Sequence, residues 1–232
     1  MAVTKNELVF DLLNIARGGL QGADEHISEA QVSFWIDNVR ARLIRNDLEK
    51  RRSMNPDIIQ TLGCVDVSQV DASSCGCINT ECEVITTDAL VPRPLEVGSR
   101  NLITSVGPIN LTDPRYNLVP YERAIWANPN KYSYKIPVAF QHDGYIYIIG
   151  EDVESLEKIN IQGIFETPAD VKTFITCSGD TCYDDDQPYP IARYMIEDLK
   201  KMILDVDFRT AVSAPTDTQG DSSHKVEPNI QQ

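Results

Sequence analysis

The sequence predicts an α+β fold with N-terminal helices, a small antiparallel β region carrying a hairpin, C-terminal helices and a flexible tail. Three observations predict it. Apolar residues recur at helical spacing up to about residue 50, and again after Pro190. Between those stretches lie short apolar runs broken by Pro, Gly and Asn, two of them flanking Asp143-Gly144. After Ala214 the chain is polar and has no periodicity. The organisation is an N-terminal helical region over 1–60, a β-rich region over 61–166, a C-terminal helical region over 167–212, and a tail over 213–232.

Each element has a local reason. Thr4-x-x-Glu7 is a capping-box pattern, and Leu8, Leu12 and Ile15 follow at helical spacing. Gly18-Gly19 stops that helix. The next helix spans Ile27 to Arg52. Ser28 caps Gln31, Ile27 and Val32 occupy the staple positions, and Val32, Ile36, Val39 and Leu43 form the apolar stripe, widened by Trp35 and Ile44. Asn55-Pro56 closes it. Strands are predicted over Glu83–Thr87, Leu102–Val106 and Arg123–Trp126. The best local signal is Ile136–Phe140, then Asp143-Gly144, then Tyr145–Ile149, since Asp-Gly favours the positive φ angles of a type I′ hairpin turn. Lys158–Phe165 reads as a further strand with Ile159, Ile161 and Phe165 on one face. Thr167-Pro168 is a helix start, the hydroxyl capping and the Pro at the first helical position, with a short helix to about Thr176. The last helix opens at Pro190 and buries Met195, Ile196, Leu199, Ile203 and Val206.

Charge is unevenly spread. The 232 residues carry a formal net charge of −14, so on average the chain repels nucleic acid. Yet residues 40–52 hold six basic residues against two acidic ones, while residues 150–207 hold fourteen acidic and five basic. Unlike surfaces suit subunit-to-subunit docking, in which opposite potentials fix register. No apolar run is long enough to span a bilayer, and the N-terminus lacks the apolar core of a secretory signal. The six cysteines are accordingly expected as mostly reduced thiols.

Chemistry-bearing patterns are weak. His26, His142 and His224 sit in no nucleophilic constellation, and no phosphate-binding Gly loop is present. Cys75, Cys77, Cys82, Cys177 and Cys182 could hold zinc, but without paired Cys-x-x-Cys knuckles. Cys64 is spare on that zinc reading, and a Cys177–Cys182 disulfide is an alternative. Asp184-Asp185-Asp186 lacks the alternation of a calcium loop and reads as a solvated turn. No cofactor is called for, and the chain is expected not to be an enzyme. Competing readings are a metal-dependent enzyme using Asp184 to Asp186, and a nucleic-acid-binding module using the basic helix.

Several stretches resemble the neck and tail ring, or head–tail connector, proteins of crAss-like bacteriophages. They are Gln162-Gly-Ile-Phe-Glu-Thr-Pro168, Cys177-Ser-Gly-Asp-Thr-Cys182 with Tyr183 and the Asp run, and Gln187-Pro-Tyr-Pro-Ile191. Ser28-Glu-Ala-Gln-Val-Ser-Phe-Trp-Ile36, Arg40-Ala-Arg-Leu-Ile-Arg45 and Gln60-Thr-Leu-Gly-Cys64 fit the same pattern. The resemblance implies a virion structural protein at the head–tail junction, present in the host cytoplasm during assembly. It implies a twelvefold homo-oligomeric ring below the portal, touching portal and adjacent ring or tail proteins, with genomic DNA only in transit. On that reading Arg40, Arg42, Arg45, Arg51 and Arg52 carry protein–protein contacts. The tail docks on the portal through Val226 and Ile230, and no membrane is involved.

Overall fold

The computed structural model describes residues 3–16, 27–50, 54–70, 84–110, 112–124, 137–150, 153 and 155–208. Two helices open the chain. In α1 (Lys5–Ala16) the capping box forms as predicted. The Thr4 amide donates to Glu7 Oε2 at 3.0 Å, and the Glu7 amide donates to Thr4 Oγ1 at 3.2 Å. This satisfies amides that a helix start leaves without intrahelical partners. Leu8 and Leu12 are buried, joined by Leu13; Ile15, expected inside, stands in the final turn and is exposed. The Gly18-Gly19 stop lies outside the described residues.

Helix α2 (Glu29–Lys50) runs for about 33 Å. Ser28 Oγ accepts the Gln31 amide at 3.2 Å, and Val32, Ile36, Val39 and Ile44 are buried. Trp35 meets Phe208 edge-on, with centroids 5.2 Å apart. Beyond α2, Asn55 Oδ1 accepts the Asp57 amide at 3.0 Å and Pro56 starts a 3-10 turn.

The sheet is larger than predicted. Its strands are β1 (Gln60–Val70), β2 (Val84–Thr87), β5 (Ile103–Pro108), β6 (Asn117–Leu118), β7 (Val138–His142), β8 (Tyr145–Ile149) and β9 (Lys158–Gly163), in the order β5-β9-β1-β2-β8-β7-β6. The short strands β3 (Glu96–Val97) and β4 (Arg100–Asn101) pair separately. Every pairing in the large sheet is antiparallel except β6 with β7. β1 joins two halves: residues 60–66 pair with β9 and residues 67–70 with β2, the register shifting between Leu62 and Val65. The Asp-Gly hairpin is present between β7 and β8, with φ of 48° at Asp143 and 82° at Gly144, as a type I′ turn requires. The strand expected over Arg123–Trp126 is not formed where described: Tyr121–Ala124 is one helical turn, α3.

After β9 the predicted helix at Thr167 is a 3-10 segment, Pro168–Thr173, and the Thr167 side chain makes no capping bond. Pro168 and Val171 within it, and Phe174 just after it, are buried. Their spacing of three is the 3-10 period, so this winding buries all three where an α-helix would splay them. The last helical stretch starts as a 3-10 turn, Arg193–Met195, continues as α4 (Ile196–Met202) and widens into a π-helix, Ile203–Phe208. Met195, Leu199 and Ile203 are buried at intervals of four. The wide turn then brings in Phe208, five residues on, and leaves Val206, expected inside, 51% exposed.

One apolar core draws on all these regions, including Leu8, Ile36, Leu62, Ile148, Phe165 and Leu199. A smaller cluster of Val84, Ala124, Phe140 and Tyr147 covers the other face of β2, β7 and β8. Cys64 of β1 is disulfide-bonded to Cys177, with Cα atoms 5.2 Å apart, and Cys182 is free. This corrects the expectation of reduced thiols at Cys64 and Cys177, and the alternative Cys177–Cys182 pairing is not formed. The cause is close packing: a Cβ at Gly63 would lie 3.3 Å from Thr176 Cα, so β1 runs directly beside the cysteine-bearing loop. Cys75, Cys77 and Cys82 lie outside the described residues.

Candidate functional site

Helix α2 has two working faces, and the inner one holds a buried ionic knot. Asp37 and Arg40 sit three residues apart, on one side of the helix. Asp37 Oδ2 accepts from Lys5 Nζ of α1 at 2.7 Å, and Oδ1 accepts the Tyr189 hydroxyl at 2.7 Å. Arg40 is fully buried. Its Nε donates to the Pro190 carbonyl at 2.7 Å and its Nη1 to the Phe165 carbonyl at 2.9 Å. The guanidinium lies 5.7 Å from the centroid of the Tyr189 ring, within cation–π range. Burial holds the Arg40 pKa below its ordinary value, opposed by Tyr189 and Asp37. Burial pushes the Tyr189 hydroxyl well above its ordinary value, and Asp37 adds to the shift. Tyr183 is raised by burial and then by Asp185.

This knot explains the sequence stretches singled out above. Phe165 belongs to Gln162–Pro168, Tyr189 and Pro190 to Gln187–Ile191, and Arg40 to Arg40–Arg45. The three meet at one guanidinium. Arg40 is therefore an intramolecular cross-link, which corrects its reading as an inter-subunit contact. No periodicity argument finds this, because a buried Arg on an apolar stripe looks like a surface residue until its carbonyl partners are known.

The other predicted residues fall differently. Arg45 pairs with Glu166 and donates through Nε to the Glu96 carbonyl at 3.1 Å. Its side chain remains 39% exposed. Arg42 is exposed on the outer face. Arg51, Arg52, Val226 and Ile230 lie outside the described residues, as do His26, His224 and the tail. The basic helix is thus not a continuous cationic stripe, since one of its charges is buried and another is bonded to a carboxylate. Asp184, Asp185 and Asp186 diverge. Asp184 accepts the Asp185 amide, Asp185 pairs with Lys172, and Asp186 accepts from Asn6 Nδ2 at 2.6 Å. Among the described residues no group of three or more His, Cys, Asp or Glu side chains is placed to hold a metal ion. No described helix is long and apolar enough to cross a membrane.

The outer face of α2 is a ridge between two pits. Phe34, missed in the sequence reading, is 65% exposed at its centre. On one side lies a pit of about 200 Å³ lined by Asp37, Ala41, Arg45, Glu166 and Thr167. On the other lies one of about 240 Å³ lined by Trp35, Val39, Arg42, Met202, Val206 and Asp207. Phe34 and Asn38 border both. Burial raises the Asp207 pKa, opposed by Arg42. Phe34 and Asn38, flanked by grooves that hold Arg45 with Glu166 on one side and Arg42 with Asp207 on the other, form a surface that can seat another helix.

The model of the family described as phage tail ring protein 2, of the crAss group, matches residues 7–229. No curated protein matches the chain.

Proposed function

The chain belongs to the phage tail ring protein 2 family, and from that premise we propose that it forms the ring of a head–tail connector below the portal. Membership makes it a structural ring protein of the virion, assembled from copies of itself beside other tail proteins. In the proposed arrangement twelve copies match the symmetry of the portal, and genomic DNA passes through the lumen. The match over residues 7–229 is the observation that carries this reading. The surface chemistry supports it. A net charge of −14 lets DNA slide, because few counterions are released on contact. Arg42 and the exposed part of Arg45, with Arg51 and Arg52 at the end of the same segment, supply the contacts to neighbouring protein. Val226 and Ile230 are the apolar anchors of a portal-docking tail.

Imaging of intact particles tests the proposal. The expected result is a ring at the head–tail junction into which this fold fits, with its axis on the DNA path. Density for the chain elsewhere in the tail would remove the connector role and keep the ring. Its absence from the particle would remove both.

A further inference from the structure

A cavity of about 610 Å³ opens between the start of β1 and the stretch from Cys182 to Arg193. Pro56, Ile59, Pro188, Pro190 and Ile191 give it apolar walls. Its charged lining residues are Asp57 and Arg193, one of each sign, so it selects neither anions nor cations. Two polar side chains in it are deeply buried, Gln60 at 7% and Tyr183 at 3% exposure. Among the described residues, neither amide atom of Gln60 nor the Tyr183 hydroxyl has a hydrogen-bond partner. A buried carboxamide left so is costly, and it fits a ligand that both donates and accepts. The edge of β1 adds a second feature. Residues 60–66 pair with β9 on one side, and pairing with β2 on the other begins only at Val67. Gln60, Thr61 and Gly63 therefore bring to the cavity a strand edge with no described strand beside it, which suits an extended peptide.

We propose that this cavity seats the chain's own segment Val226–Gln231 in the free subunit. Pro228-Asn-Ile-Gln231 is an uncharged run that alternates apolar side chains with carboxamides. Laid along the β1 edge, it sets Ile230 among the apolar walls and offers the Asn229 carboxamide to Gln60, each donating to the other. Glu227 stays at the mouth, where Arg193 is exposed. Reach permits this. Ile196 lines the cavity and begins the helical run that ends at Phe208, on the order of 18 Å away. Residues 209–225 span roughly 55 Å when extended. The family match continues to residue 229, so most of this segment lies within the family's pattern. A tethered segment competes at a local concentration on the order of 1 mM, which favours it over the segment of another copy in dilute solution. The consequence rests on the reading of the tail as a portal-docking segment: Val226 and Ile230 stay covered until the portal draws them out. The seat itself does not depend on that reading.

The free thiol of Cys182 lines the cavity and reports on it. Maleimide labelling of the full-length chain, read at Cys182 by peptide mass mapping, is expected to run on the order of 10-fold faster in Ile230→Asp than in wild type. Gln60→Ala, which removes the buried carboxamide, is expected to label at the faster rate too. Equal rates in wild type and Ile230→Asp overturn the seat, and that variant leaves the cavity walls untouched. Ile230→Cys identifies the donor. Under mild oxidation the introduced thiol is expected to link to Cys182 within one chain, running as a monomer on a non-reducing gel. A link that joins two chains overturns the own-chain occupant and assigns the cavity to a second copy. Binding to purified portal protein is judged separately. Gln60→Ala frees the segment and is expected to bind portal more tightly, whereas Ile230→Asp binds more weakly. Portal binding indifferent to Ile230→Asp removes the portal-docking reading and leaves the seat standing.

Discussion

Arg40 shows what one residue does when placed where its type is rarely found. A fully buried guanidinium costs much to desolvate, and here two main-chain carbonyls, Asp37 and the Tyr189 ring offset that cost. Arg40→Ala strands the Pro190 and Phe165 carbonyls in a dry interior. The expected loss is about 3–5 kcal/mol of unfolding free energy, measured by urea denaturation. Arg40→Lys keeps the charge without the planar fork and recovers only part of the loss. The tyrosines around the knot make a second test. Tyr189, Tyr183 and Tyr116 all have phenols raised by burial, aided by Asp37, Asp185 and Asp113 respectively. A folded pKa above the unfolded one means that the stabilisation is fully present below about pH 10 and is lost as pH rises beyond it. Phenolate absorbance is followed through an alkaline titration. These three ionise only as the fold is lost, so dichroism falls together with their absorbance change.

At the scale of elements, what sequence shows is what is decided locally. The Thr4–Glu7 box, the Ser28 cap and the Asp143-Gly144 turn each depend on a few adjacent residues, and each forms as read. β1 was not legible as a strand. Its register shift between Leu62 and Val65 breaks strict alternation, and Asp66, Ser68 and Gln69 dilute its apolar character. The 3-10 period after Pro168 and the π turn before Phe208 are set by what the core needs filled, so an α-helical template misplaced Val206. The candidate site was half legible: the basic helix was visible, but which of its arginines faces inward depends on carbonyls more than a hundred residues away. The hairpin permits a direct measurement. Gly144 has φ of 82°, and a Cβ there would lie 2.9 Å from Leu90 Cδ2. Gly144→Ala is expected to cost about 1–2 kcal/mol in denaturant melts, while Asp143→Asn, equally at home at positive φ, changes stability by less than about 0.5 kcal/mol.

For the whole molecule two long-range constraints matter. The Cys64–Cys177 bridge spans 113 residues and ties β1 to the loop before the last helices. Closing so long a loop restricts the unfolded chain, so Cys177→Ser is expected to lower stability by about 2–4 kcal/mol, measured by denaturation beside the wild type. The second constraint is charge. Each protomer brings −14 into a ring, so neighbours repel at long range even where their touching surfaces attract. Screening separates these effects by distance. At 0.15 M salt the Debye length is about 8 Å, which removes most of the repulsion between distant carboxylates. Pairs in direct contact are weakened less. Self-association is therefore expected to tighten as salt rises from about 0.01 M to 0.15 M. Sedimentation at matched protein concentration reads this directly. Association that falls steadily over the same range would mean that attraction between opposite charges at the subunit contact dominates the net repulsion.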